Sequence, residues 1–101
     1  MMMATDSSHT PPSRLDPATL DAVRDALRSY LADSADPAAL QRALQHMSTE
    51  ARNRGMHAEH LLVQLKDVWG VLPEVRGMTD TAEQVRLLQR VVTMCIKEYY
   101  S

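Results

Sequence analysis

The stretch ARNRGMHAEHLLVQLKDVW, residues 51–69, decides the fold. Its opening residues read as the last turn of one helix, Gly55 as a turn, and residues 57–72 as a second helix. Glycine adopts the left-handed C-cap conformation without a Cβ penalty, so Gly55 is a natural stop, and Arg52 and Arg54 suit the negative end of the preceding helix dipole. Beyond the turn, Leu61, Leu62, Leu65, Val68, Trp69 and Leu72 fall within an arc of roughly 120° at ~100° per residue, the signature of a core helix. Its other side carries His57, Glu59, His60, Val63, Gln64, Lys66 and Asp67.

Working upstream, a helix over 37–54 presents Leu40, Ala43, Leu44, Met47 and Ala51 as a narrow apolar stripe, which predicts that much of its surface is wet. Before it, residues 17–32 place Leu20, Val23, Leu27, Tyr30 and Leu31 on one face. Asp16-Pro17 and Asp36-Pro37 open these two helices alike, the aspartate as N-cap and the proline at a position that needs no amide. The short connection between them favours antiparallel neighbours.

Downstream, Pro73 stops the third helix and residues 73–78 read as a loop. Asp80 and Glu83 then form a capping-box variant that opens a helix over 81–99. Val85, Leu88, Val91, Val92, Cys95, Ile96 and Tyr99, with Leu87 and Met94, widen its apolar arc toward ~200°, which predicts that this is the central helix. An arc that wide can also be covered by a second copy of the chain, so a homodimer is an expectation. Together these elements predict an all-α, compact four-helix domain over residues 15–101. Residues 1–14, polar and broken by Pro11-Pro12, predict a disordered tail.

Composition narrows function. The 101 residues include 11 basic and 13 acidic side chains, so no positive field covers the whole molecule to attract nucleic acid or an anionic surface. The single Cys95 cannot form an internal disulfide, which fits a reducing compartment, and the cytoplasm is the expected location. No apolar run approaches the ~20 residues that span a bilayer, and the N-terminus lacks the basic and apolar regions of a signal peptide.

Several constellations of residues could carry chemistry. The 37–54 and 57–72 pair has the outline of a helix-turn-helix, with Ala51, Gly55, Met56 and Leu61 at suitable positions, and DNA binding through that pair is the alternative function. Against it, Glu50, Arg54 and Gln64 stand where that motif uses apolar residues, and one lysine beside Glu59 and Asp67 makes a poor phosphate-facing surface. His57 and His60, with His46 or Glu50, resemble a metal site only loosely, because their spacing is not that of helical zinc motifs. Cys95 falls on the buried arc, where a thiol behaves as a small hydrophobe. No phosphate loop, nucleophile elbow or carboxylate pair is present, so neither an enzyme, a cofactor nor a bound metal is expected.

Arg86, Arg90 and Lys97 form a basic stripe on the outside of the last helix, able to receive an acidic partner or phosphates but explained by solvated charge on an amphipathic helix. The sequence therefore predicts a small non-enzymatic protein-protein interaction or regulatory module whose partner is another protein or itself. Its candidate interface is His57, His60, Val63 and Gln64 on the third helix, with Lys97 and Tyr100 at the end of the fourth. Val63 is apolar on the polar side of its helix, and an exposed tyrosine beside a lysine suits an interface anchor.

Overall fold

A computed structural model describes residues 15–101, which are all-α; the tail expected over 1–14 lies outside the described residues. Five helices follow in order: α1 Pro17–Ala32, α2 Ala38–Asn53, α3 Ala58–Gly70, α4 Pro73–Arg76 and α5 Thr81–Tyr99. The four long ones match the predicted set to within two residues at each end.

The turn after α2 is built as its sequence suggests. Gly55 takes φ +72°, Met56 N–H donates to the Ala51 carbonyl at 2.8 Å, and Gly55 N–H donates to the Arg52 carbonyl at 3.1 Å. This is the paired closure of a Schellman motif, and the buried Met56 supplies the apolar contact that accompanies it.

The centre of the molecule is α2, not the last helix. Leu40, Leu44, Met47, Ser48 and Ala51 are all essentially inaccessible, and α2 packs chiefly on α1 and α5 while also touching α3. Its stripe is narrow because Ala43, Ser48 and Ala51 are small, and small side chains let neighbouring helices approach on both sides. In α5 only Val91 and Cys95 are buried, so its wide apolar arc is only partly used.

Residues 73–78, predicted as a loop, include the single turn of α4. Pro73 stops α3 and also starts α4, since a first helical position needs no amide. This turn brings Val75 into the core, and the Gln84 side chain donates to the Val75 carbonyl at 2.9 Å.

The two Asp-Pro starts differ from each other. Asp36 accepts from the Ala38 amide at 3.3 Å, although α2 itself begins one residue after Pro37. Asp16 occupies the N-cap position of α1 but makes no side-chain cap; its carboxylate accepts from Arg54 at 2.9 Å. In its place Glu50, projecting from α2, accepts from the Asp16 amide at 2.7 Å and from the Thr19 hydroxyl. A capping box normally draws that carboxylate from the third residue of the same helix. Here the third residue is Thr19, and the carboxylate arrives from the neighbouring helix. Burial would raise the Glu50 carboxyl, but the bonds from Thr19 and Asp16 and the nearby charges of Arg54 and His46 outweigh it and hold it below the usual value.

The same end of α2 is tied on its other side to α5. Arg52 donates to the carbonyls of Tyr99 and Ser101 at 3.1 and 3.0 Å, so it serves the end of α5 as well as lying in the last turn of its own helix. The Tyr99 hydroxyl donates to the Met56 carbonyl at 2.6 Å, fixing α5 against the glycine turn.

Candidate functional site

The six candidate residues do not fall on one surface. His57 and His60 are exposed at the start of α3, with ring centroids 6.3 Å apart in an edge arrangement. Val63 is 55% exposed on the side of α3 away from the core, beside Glu59, Lys66 and Asp67, which are also exposed. Gln64 is half-buried and engaged within the fold: its carbonyl oxygen accepts from the Leu15 amide at 3.4 Å, and its amide nitrogen lies 3.8 Å from the Met56 sulfur. Gln64 thus fastens the segment leading into α1. His46 and Glu50 line a hollow shared with Asp16 and Arg54, where Glu50 serves α1 and neither His57 nor His60 takes part, and among the described residues no three His, Cys, Asp or Glu side chains converge as metal ligands.

Tyr100 is 71% exposed beyond the end of α5, its ring edge-on to Tyr99 at 5.0 Å. Lys97 lines a cleft of about 570 Å³ between α5 and the α1–α2 connection, and none of the α3 candidates lines it. Arg86 and Arg90 share that wall, while Tyr30, Ser34 and Gln41 come from α1, the connection and α2.

Cys95 is fully buried, and burial pushes its thiol up to about 11. The neighbouring Ser48 hydroxyl offsets a little of that rise, although it lies outside strict hydrogen-bond geometry to the thiol and has no other partner. The thiol is therefore protonated and enclosed at neutral pH, the state least suited to nucleophilic attack.

Two residues assigned to the core by their spacing, Val85 and Ile96, turn out to be exposed, while Leu88 and Val92 pack against the core as half-buried side chains. Val85 is 47% and Ile96 37% exposed on α5, with half-buried Leu88 and Val92 between them. These four occupy positions i, i+3, i+7 and i+11, one face of a helix over about 16 Å. The basic stripe lies roughly a third of a turn away, so α5 presents an apolar seam on one flank and a cationic wall on the other. No protein-family model, curated protein or solved structure matches this chain. No helix among the described residues is long and apolar enough to cross a membrane.

The basic stripe is legible in the sequence but its opposing wall is not, because Tyr30 lies on the apolar face of α1 and its spacing marks it as core. The signal for the seam was present in the excess width of the α5 arc. What it lacked was the knowledge that α2 occupies the centre.

Proposed function

We propose that this chain is a non-enzymatic protein-interaction module that self-associates through α5 and acts in the cytoplasm. The observation that carries the reading is the partly covered seam of α5, in which Val85 and Ile96 are exposed and Leu88 and Val92 between them are half-buried against the core. A helix in a small domain gains its stability by burying its apolar face, and a face left open in the monomer is a surface for a partner.

A second copy supplies a matching face without any further component. In a two-fold dimer the same patch serves both subunits, so an antiparallel α5 pair centred on Val92 sets each Val85 near the partner copy's C-terminal turn. Burying a Val or Ile side chain fully contributes ~1.5–3 kcal/mol, and these side chains are already partly covered, so the gain per copy is a fraction of that. A seam of this size suits a weak complex with Kd in roughly the micromolar range. The enclosed Cys95 thiol is consistent with a reducing compartment.

Sedimentation velocity over a concentration series tests the reading. The wild-type chain is expected to shift from monomer toward dimer as concentration rises. Ile96→Glu, which sets a charge in the seam at an exposed position, is expected to remain monomeric with unchanged helicity. A wild-type chain that stays monomeric to about 1 mM contradicts the proposal.

A further inference from the structure

The cleft on the other flank of α5 combines unpaired positive charge with a tyrosine hydroxyl that bonds to no other described residue. Arg90 and Lys97 stand two turns apart on one wall, about 10 Å along the helix axis, and among the described residues no carboxylate pairs with either. Arg86 extends the stripe one turn further but is bound to Glu83 at 2.6 Å. Tyr30 lines the cleft although it is only 4% exposed, and its hydroxyl has no hydrogen-bond partner among the described residues. No acidic residue lines the cleft; Asp33 and Asp36 flank its lining residues Ser34, Ala35 and Pro37 in the chain, and Asp80 and Glu83 line the adjoining pocket that shares Tyr30 and Ser34.

The Tyr30 ring is enclosed but its hydroxyl, unlike that of Ser48, is not sealed from solvent, so it stands at the cleft surface free to donate to a ligand oxygen. Gln41 and Gln89 bring amide groups from the two walls, and Met94 and Pro37 add apolar surface. Amides that can both donate and accept suit a peptide backbone, and the apolar surface suits intervening side chains.

We propose that this cleft binds an acidic peptide segment in extended conformation, its carboxylates on Arg90 and Lys97 and a backbone or side-chain oxygen on the Tyr30 hydroxyl. The wall from Arg86 to Lys97 is about 16 Å long, enough for roughly five extended residues. Arg90 and Lys97, about 10 Å apart along the axis, span roughly three extended residues, and their long flexible side chains reach carboxylates at either end of that span. A single-stranded nucleic acid fits less well. The one aromatic ring in the lining is buried, leaving no platform for a base, and the net charge of −2 gives no wider attraction to phosphates. This site does not depend on α5 pairing, because the seam lies on another flank of the helix.

Fluorescence anisotropy with the full chain tests the proposal, using a labelled peptide of three Glu-Leu-Asp-Ala repeats and, separately, a labelled oligothymidine. Wild type is expected to bind the peptide, more weakly as salt rises. Arg90→Glu with Lys97→Glu, both at exposed positions, is expected to weaken binding by at least about tenfold without changing the circular dichroism spectrum. Tyr30→Phe keeps the ring and loses the hydroxyl, for a loss of about threefold to tenfold. Ile96→Glu is expected to bind as wild type does, which separates this site from self-association. The proposal is overturned by absent peptide binding at low salt, by unchanged binding in the folded double variant, or by tighter binding of the oligothymidine.

Discussion

Replacing Glu50 by alanine is expected to destabilise the chain well beyond what a partly exposed glutamate usually contributes. The substitution removes the acceptor of the Thr19 hydroxyl, the acceptor of the Asp16 amide and one partner of Arg54. Thr19 is only 4% exposed, so its hydroxyl is left unpaired away from water, at ~1–3 kcal/mol. Loss of a cap-like bond to Asp16 adds ~0.5–2 kcal/mol, and the Arg54 pair, one partner of which is substantially exposed, adds under ~1 kcal/mol. Because these losses overlap, a net of about 2–3 kcal/mol is expected, a large part of the ~5–15 kcal/mol of a small domain. Urea denaturation followed by circular dichroism reads it directly, with a fall in melting temperature of roughly 10–20 °C in parallel. Glu50→Gln keeps one acceptor and is expected to lose less. The pH dependence has a definite sign. A carboxyl whose folded value lies below its unfolded 4.5 contributes stability above pH 4.5, and that contribution disappears as pH falls through the lower folded value. Wild type and Glu50→Gln should therefore converge on acidification. A Glu50→Ala variant within about 0.5 kcal/mol of wild type at pH 7 would refute the trans-cap.

Two glycines should respond in opposite directions. Gly55→Ala meets no atom within 4 Å but must hold φ +72°, and is expected to lose ~1–2 kcal/mol; Gly70→Ala, in the last turn of α3 with the same free space and no positive φ, is expected to gain ~0.5–1 kcal/mol by thermal denaturation. Raising pH should expose the cost of enclosing Cys95. Its thiol is ordinary near 9 when unfolded and about 11 when folded, so the associated stability is complete below pH 9 and lost toward pH 11, about 2–3 kcal/mol that Cys95→Ala should not show in paired urea titrations.

The parts of the fold that were legible in the sequence are those set by local chemistry. Gly55 closed its helix as glycine does, and Asp80 accepts from the Glu83 amide at 3.2 Å as its spacing suggests, although Glu83 turns to Arg86 and completes only half of a capping box. What could not be read depends on which helices meet. Glu50 looked like a misplaced polar residue in a helix-turn-helix pattern, but it caps another helix, and that role exists only once α1 lies against α2. The breadth of an apolar arc records how much a helix could bury, not how much its neighbours cover, so α5 looked central while the narrow, small-residue stripe of α2 took that place. Gln64 looked like an exposed contact for the same reason: the segment that occupies it, at Leu15, is 49 positions away. Val63, His57 and His60 stand where their periodicity set them, on the open side of α3.

The central proposal is that α5 is the contact surface, and the most direct measurement is a concentration series of amide chemical shifts from about 20 µM to 1 mM, which follows a weak equilibrium residue by residue. Shifts are predicted to move together along the seam from Val85 to Tyr99, with those of Ala22 and Asp25 on the exposed back of α1 unmoved. Shifts that stay constant throughout, or that gather instead at His57, His60 and Val63, would contradict the account.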